Sequence, residues 1–141
     1  MALTSESTTV WTGTLFEGSG HTRLDSSKVA EFDLDWKARA EGEAGVTNPE
    51  ELLAAAHSAC FSMAFSLALA QAGYPPESIQ ATAAVTFQPG EGVTGSHLLV
   101  SGRVPGISEA EFERLADEAK TNCPISKALG GTPITIEAEL A

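Results

Sequence analysis

The hydrophobic and polar positions along the first third of the chain change with the two-residue period of β-strands. Phe32, Leu34 and Trp36 alternate with charged residues, which indicates a strand that buries one face. Shorter alternating stretches upstream are separated by a glycine-containing turn. The pattern predicts three short strands, at residues 8–16 (interrupted at Gly13), 21–24 and 32–36. A polar loop follows at residues 39–46.

A long helix is predicted next, and its start is the clearest local signal in the sequence. Asn48 is a good N-cap, Pro49 suits the first helical position, and Glu51 stands where a capping box needs a carboxylate. Gly73, with two prolines beyond it, marks the end. These signals predict a helix from residue 49 to about residue 71.

The same helix raises the question of a membrane span. The stretch from Leu52 to Gly73 carries no formal charge and is long enough to cross a bilayer. It is also rich in alanine and serine, contains His57 and Gln71, and lacks flanking Lys or Arg anchors. Because a helix that is apolar nearly all round also suits the centre of a globular protein, we expect a buried central helix and no membrane partner.

The second half of the chain contains both the helical spacing and the two-residue strand spacing of apolar residues. Ser108 and Glu111 form a second capping box, and the apolar residues that follow recur at helical spacing until Pro124 ends or restarts the helix. Period-two alternation predicts strands at residues 79–87, 96–104 and 134–140. Strands around a central apolar helix indicate an α+β fold with a mainly antiparallel sheet packed on helices.

Composition and charge limit the classes of partner. The 141 residues suit a single domain over residues 1–141, and 43% hydrophobic residues are enough for a packed core. Eight Lys and Arg against 19 Asp and Glu give a net charge of −11, which disfavours nucleic acids and anionic membranes as partners. The first residues lack the basic and apolar segments of a signal peptide, so a cytoplasmic location is expected.

Two cysteines are the main candidates for chemistry, and they are too few for a disulfide framework. Cys60 lies in the middle of the apolar helix, and Cys123 precedes Pro124, where a helix N-terminus can lower the pKa of a thiol. By composition and spacing alone, both are better explained as small core residues. His57 shares a helical face with Cys60 but completes no metal-ligand signature. We therefore expect no metal and no cofactor, and we interpret His57 as a packing residue.

Two separated segments carry a more specific signal. They are TNPEELLAAAHSACFSMA at residues 47–64 and NCPIS at residues 122–126, supported by RAEGEAG at residues 39–45 and VPGI at residues 104–107. Together they resemble the osmotically inducible protein C (OsmC) family, which is related to the organic hydroperoxide resistance (Ohr) proteins. The resemblance extends from Phe32 onward, and His57 suggests the OsmC branch.

This resemblance implies an intertwined homodimer whose sheets wrap around the central helices, and thiol-dependent reduction of organic hydroperoxides. By position, Cys60 would be the peroxidatic nucleophile and Cys123 the resolving thiol that forms an intramolecular disulfide. Arg39 and Glu50 would be the polar pair that positions and activates Cys60, with Arg23 as the competing arginine. An external thiol or dithiol would restore the reduced protein. The alternative is a non-enzymatic stress protein that binds an apolar small molecule or lipid in the dimer-interface pocket.

Helix geometry adds a prediction of its own. Glu50 precedes Cys60 by ten residues, which is about 15 Å of rise in a continuous helix. If both serve one site, either the helix is broken or Glu50 comes from the second subunit, and we expect the second arrangement. Apolar neighbours of Cys60 predict a pocket that favours organic hydroperoxides over hydrogen peroxide; they are Phe61, Met63, Ala64 and Phe65.

Overall fold

A computed structural model describes residues 1–141 and contains six strands and four helices. In chain order they are β1 (Ser7–Thr12), β2 (Ser19–Leu24), β3 (Glu31–Leu34), α1 (Trp36–Ala40), α2 (Pro49–Gln71), β4 (Ser78–Gln88), β5 (Gly92–Arg103), α3 (Glu109–Asn122), α4 (Pro124–Ala128) and β6 (Ile134–Leu140). The chain divides into two compact units, Met1–Leu52 and Leu53–Ala141. The single domain expected over residues 1–141 stays a prediction.

The first unit contains an antiparallel sheet in the order β1-β2-β3. The three predicted strands are confirmed, but the first ends before Gly13, whose φ of 92° breaks the extended backbone. The third ends before Trp36, which begins α1 instead. The cause is Asp35, whose side chain accepts a hydrogen bond from the Ala38 backbone N–H at 2.7 Å and so caps a short helix. Arg39 is consequently helical, and the predicted loop begins after it.

The start of α2 follows the sequence prediction in part. The Glu51 backbone N–H donates to Asn48 Oδ1 at 2.8 Å, which confirms Asn48 as the N-cap. The Glu51 carboxylate accepts a hydrogen bond from the Thr47 hydroxyl, so it pairs with the residue before the cap. The Glu50 carboxylate is left for another partner.

The end of α2 is a Schellman motif. The Tyr74 N–H donates to the Leu69 carbonyl at 2.8 Å, and the Gly73 N–H donates to the Ala70 carbonyl at 3.0 Å. Gly73 has a φ of 92°, a conformation that glycine adopts without steric cost. The helix therefore runs unbroken from Pro49 to Gln71, with both predicted ends confirmed.

The second unit contains the sheet β4-β5-β6. Strands β4 and β5 form the predicted antiparallel hairpin, with Ser78 opposite Arg103. Strand β6 pairs with β5 in parallel, with Ser96 opposite Ile134, because α3 and α4 carry the chain back to the same end of the sheet. The α+β class and the predominance of antiparallel pairing are confirmed, but the strands form two small sheets.

The core of the second unit lies between α2, α3 and this sheet. The rings of Phe65 and Phe112 have centroids 5.1 Å apart, and Gly102 leaves room for Phe112, since a Cβ there would lie 2.9 Å from that ring. The other side of α2 is uncovered within one chain, with Met63 and Leu67 exposed to 75% and 58%. The expected fully buried central helix is therefore only half covered. By length and composition alone, α2 is the one helix that could cross a membrane.

Candidate active site

The first candidate element is an ion pair between Arg39 of α1 and Glu50 of α2. Arg39 Nε donates to Glu50 Oε1 at 3.0 Å and to Oε2 at 3.2 Å, and Nη2 donates to Oε1 at 2.8 Å. The Glu50 side chain is 7% exposed and the Arg39 side chain 34% exposed. The pair therefore has a fixed orientation, and about a third of the Arg39 side chain stays accessible.

Arg23, the competing arginine, has a looser environment. It lies on β2, is more than half exposed, and its Nε is 3.8 Å from Asp25 Oδ1. A distance of this kind gives little orientation to the guanidinium.

The second candidate element joins the two cysteines. Cys60 is half buried on α2 and Cys123 is fully buried at the residue between α3 and α4. The structure brings these thiols, 63 residues apart in sequence, into the same part of the core, since Cys60 packs against the buried cluster that contains Cys123, and both are reduced. Of the two, the Cys60 sulfur is the one that a solute can reach.

The pKa values of the two thiols move in opposite directions. Burial raises the pKa of Cys60, and the hydrogen bond that its thiol donates to Cys123 raises it further. Burial acts in the same sense on Cys123, but hydrogen bonds from Cys60, from the Ser126 backbone and hydroxyl, and from the Ile125 backbone together lower its pKa. Within one chain, Cys123 is therefore the more acidic thiol, and Cys60 needs a further positive charge to become the thiolate.

A buried polar network around His57 joins α2 to β5 and α4. His57 Nδ1 is 2.7 Å from Ser96 Oγ on β5, and His57 Nε2 is 2.8 Å from Ser126 Oγ on α4. We call this the Ser96–His57–Ser126 network. The interpretation of His57 as a packing residue is incomplete, since its ring is fully buried and both nitrogens are hydrogen-bonded. The sequence signal was the small hydroxyl residue three positions after Cys123, inside the NCPIS motif.

The apolar surroundings differ from those predicted for Cys60. Phe61 and Phe65 are fully buried in the core, so they cannot line an open pocket. An apolar groove of about 490 Å³ lies instead beside Arg39 in the first unit, and Trp36 and Leu15 are among its walls. No group of three or more His, Cys, Asp or Glu side chains is placed to hold a metal ion.

The continuity of α2 bears on how these elements could serve one site. Glu50 and Cys60 lie on the same unbroken helix, ten residues apart, which corresponds to about 15 Å of rise. The broken helix, one of the two arrangements considered above, is therefore wrong. The other arrangement, in which a second subunit supplies Glu50, stays a prediction.

An α+β fold whose core brings together two reduced cysteines defines a small dithiol protein, and comparison with known proteins gives its family. The family described as OsmC-like protein matches residues 40–139. Peroxiredoxin OsmC of Escherichia coli (strain K12) is 40% identical over 133 residues, which cover 92% of each chain. Organic hydroperoxide resistance protein OhrA of Bacillus subtilis (strain 168) is 34% identical over 119 residues, covering 81% of this chain and 84% of that protein. The chain belongs to the OsmC-like protein family.

Solved structures agree with this assignment. An organic hydroperoxide resistance protein OsmC from Legionella pneumophila has a TM-score of 0.70 and 25% identity, and covers 100% of this chain and 98% of its own. OhrB of Bacillus subtilis has a TM-score of 0.68 and 27% identity, and covers 99% of this chain and 98% of its own. The OsmC-like fold expected from the sequence motifs is confirmed.

Proposed function

We propose that this protein is a thiol-dependent peroxidase that reduces organic hydroperoxides to alcohols through Cys60 and Cys123. The observation that carries this is that an accessible thiol packs against the buried core cluster that holds a second thiol from a distant part of the chain. An accessible thiolate can attack a peroxide, and a neighbouring thiol can then close a disulfide without the chain rearranging. The names of the relatives, peroxiredoxin and organic hydroperoxide resistance protein, support the same chemistry.

The reaction has two steps at sulfur. The Cys60 thiolate attacks the terminal oxygen of the hydroperoxide, an S–O bond forms, and the O–O bond breaks. The alkoxide takes a proton and leaves as the alcohol, so that Cys60 is a sulfenic acid. Cys123 then attacks the Cys60 sulfur, the S–S bond forms, and the hydroxyl leaves as water. An external thiol or dithiol returns both residues to the reduced state by exchange.

The Arg39–Glu50 pair is proposed to activate Cys60 from a second copy of the chain. Cys60 needs a positive charge to lower its pKa, and no cationic side chain of its own chain contributes to that pKa. A guanidinium remains charged at any relevant pH and can also hydrogen-bond a peroxide oxygen. Glu50 holds Arg39 in a fixed orientation, which reduces the entropy lost in the reaction.

A homodimer is the assembly that this activation requires. The uncovered side of α2, with Met63 and Leu67 exposed, gives a second copy an apolar surface to bury. Covering it would also bury more of the apolar stretch whose length and composition alone would suit a membrane span. We propose that the dimer acts in the cytoplasm, where thiol reductants are available.

The alternative, a non-enzymatic protein that binds an apolar molecule, is not favoured. Such a protein needs no second thiol, whereas here Cys60 packs against the core cluster that contains Cys123. The relatives are also named for peroxide chemistry or peroxide resistance.

Peroxide consumption by the purified dimer with excess dithiothreitol tests the proposal. Cumene hydroperoxide and hydrogen peroxide are compared for the wild type, Cys60→Ser and Cys123→Ser. We expect turnover that prefers cumene hydroperoxide and is lost in Cys60→Ser. Cys123→Ser should still consume one equivalent of hydroperoxide in the absence of reductant, because the first step does not use that thiol. A reduced, dimeric wild type without turnover contradicts the proposal.

A further inference from the structure

The apolar groove beside Arg39 has two indole side chains among its walls, Trp11 of β1 and Trp36 of α1. Its volume is about 490 Å³, and all the residues that line it belong to the first unit. An indole ring presents a flat apolar face with partial negative charge and an edge with partial positive charge. Such walls offer an aromatic ring stacked and edge-to-face contacts that a saturated group of equal size does not form.

Trp11 is held in place by contacts on two sides. Its Nε1–H donates a hydrogen bond to the Gly13 carbonyl at 3.0 Å. Its ring also lies against Gly20, the residue directly opposite on β2, because a Cβ added at Gly20 would be 2.7 Å from Trp11 Cε3. Gly20 therefore leaves the space that the indole occupies. A side chain fixed in this way loses little conformational entropy when a ligand packs against it.

The second indole is positioned by an aromatic contact. The rings of Trp36 and Phe16 have centroids 5.6 Å apart and an interplanar angle of 83°, which is the edge-to-face geometry that aromatic pairs prefer. Trp36 is also the first residue of α1, the helix that the Asp35 side chain caps. Both indole walls are therefore fixed by the fold of the first unit, before any ligand is bound.

The charged groups of the groove favour an uncharged ligand. The positive charge of Arg39 is balanced by Glu50, whose carboxylate accepts its hydrogen bonds. Asp35 adds a negative charge to the wall, and its Oδ1 already accepts the Ala38 backbone N–H at 2.7 Å. A ligand with a carboxylate would place like charges close together. An uncharged molecule avoids this cost and can still accept a hydrogen bond from the accessible part of Arg39.

We propose that Trp11 selects hydroperoxides with an uncharged aromatic group, whose ring packs against the indole while the peroxide oxygens meet Arg39. This inference rests on the peroxidase function proposed above and narrows its substrate class. The occupant of the groove follows from Arg39, because the guanidinium proposed to bind the peroxide is part of the groove wall. The carbon group bonded to that peroxide therefore has the groove beside it. Trp11 is a specificity-determining residue, and Gly20 acts through it as a positioning residue.

Binding of unreactive alcohols tests this selection without any turnover. 2-Phenyl-2-propanol is the alcohol product of cumene hydroperoxide, and 2-cyclohexyl-2-propanol has the same heavy atoms with a saturated ring. In NMR chemical-shift titrations of the reduced protein, we expect the phenyl alcohol to bind about two- to tenfold more tightly, the range of one aromatic pair. A groove that acts only through hydrophobic burial would favour the cyclohexyl alcohol, which has the larger apolar surface. 4-(2-Hydroxypropan-2-yl)benzoate should bind more weakly than the phenyl alcohol.

Three results of these titrations would overturn the proposal. The first is equal or tighter binding of the cyclohexyl alcohol, and the second is equal or tighter binding of the benzoate. The third is no binding of any of these molecules, as expected if a second copy of the chain covers the groove.

Variants of Trp11 and Gly20 assign the selection to the indole. Trp11→Leu keeps an apolar side chain without the flat ring, and Gly20→Ala displaces the indole while keeping it in the chain. We expect both to abolish the preference for the phenyl alcohol, and Trp11→Phe to retain most of it. Val10→Ala, at the exposed neighbouring position on the opposite face of β1, should match the wild type. A preference that persists in folded Trp11→Leu overturns the proposal, and this variant tests it alone if Gly20→Ala does not fold.

Kinetics with three peroxides distinguish this inference from the peroxidase function itself. Trp11→Leu should lower kcat/KM for cumene hydroperoxide by about two- to tenfold, change that for tert-butyl hydroperoxide less, and leave that for hydrogen peroxide constant. The same loss for all three peroxides refutes the selection by Trp11. Selective binding of the phenyl alcohol by a protein that turns over no peroxide would refute the peroxidase and sustain the aromatic site. Turnover without any difference between wild type and Trp11→Leu would sustain the peroxidase and refute the role of Trp11.

Discussion

Arg39 donates three hydrogen bonds to the two carboxylate oxygens of Glu50, between α1 and the first turn of α2. The carboxylate is nearly buried, whereas about a third of the guanidinium side chain is exposed. Removing one residue of the pair should therefore cost more folding stability than removing the other. Removing the arginine leaves a buried charge without its partner, and that is the more damaging change.

We expect Arg39→Ala to lower the free energy of unfolding by about 1–3 kcal/mol, the cost of leaving a buried acceptor unsatisfied. Arg23→Ala is the matched control, and we expect a change within about 0.5 kcal/mol because that side chain is exposed and loosely paired. Urea unfolding followed by circular dichroism measures both. Equal losses in the two variants would show that the Arg39–Glu50 pair contributes no more than a surface contact.

The proposed sharing of one site between two subunits predicts complementation between inactive variants. Cys60→Ser lacks the nucleophile and Arg39→Ala lacks the activating cation. In a mixed dimer, one site keeps Cys60 from one chain and Arg39 from the other. Random pairing at equal amounts should therefore restore about a quarter of wild-type turnover, since half of the dimers are mixed and each holds one intact site.

This complementation is measured after co-expression of the two variants with different affinity tags. Cys60→Ser combined with Cys60→Ser,Arg39→Ala is the control, because no pairing of these chains contains a nucleophile. Absence of activity in purified mixed dimers would mean that Arg39 acts on Cys60 within its own chain.

The groove beside Arg39 predicts where the organic part of the substrate binds. Leu15 lines this groove and is half exposed, so Leu15→Ser should remove apolar contact area at little cost in stability. We expect kcat/KM for cumene hydroperoxide to fall by about three- to tenfold and that for hydrogen peroxide to stay constant. Val29→Ser, another exposed apolar position in the first unit, is the control. An equal loss of kcat/KM for both peroxides would show that the groove does not contribute to substrate selection.

A prediction about packing concerns Gly102 on the central strand β5. An added Cβ would lie 2.9 Å from the Phe112 ring, which the surrounding core holds in place. Gly102→Ala should therefore destabilise the protein by about 1–3 kcal/mol. Gly131→Ala has open space around the new methyl group and is the comparison for thermal unfolding. Equal melting temperatures for the two variants would show that the Phe112 contact adapts freely.

The buried His57 predicts a loss of stability in mild acid. Burial lowers its pKa in the folded protein, so the unfolded chain binds the proton first as the pH falls below about 6.5. Stability then decreases until the folded-state pKa is passed. His57→Gln should flatten the fall of the urea midpoint over this range, measured as a difference from the wild type.

His21 is expected to change the stability with pH in the opposite direction to His57. Hydrogen bonds to Asp33 and Glu31 raise its pKa, so its stabilising contribution is complete below about pH 6.5 and is lost as the pH rises through the folded-state value. His21→Gln should therefore remove a gain in stability that the wild type makes as the pH falls toward about 6.5, and leave the slope below that pH unchanged. If both variants change the profile in the same direction, burial is not what governs His57.

Much of the fold was accessible from local signals. Asn48, Gly73 and Ser108 mark helix boundaries through their own backbone chemistry, and each boundary is where the sequence predicted it. The strand prediction for Trp36 is wrong because its spacing from Phe32 and Leu34 continues a strand pattern. The N-cap at Asp35 starts a helix at that residue instead. The parallel pairing of β6 depends on the path through α3 and α4, which periodicity does not encode.

The candidate site was predictable only where a motif carried it. The positions of Cys60, Cys123, Arg39 and Glu50 came from family resemblance, and their roles stay predictions. The Ser96–His57–Ser126 network depends on contacts across 39 and 69 residues, and no spacing rule links a strand serine to a helix histidine.

The two tryptophans of the chain are both in the first unit, and both line the groove beside Arg39. Indole emission responds to the polarity of its surroundings, so these side chains form a native optical reporter of that groove. The two thiols, by contrast, lie in the second unit. Arrival of an organic molecule beside the guanidinium can therefore be followed by tryptophan emission without any label.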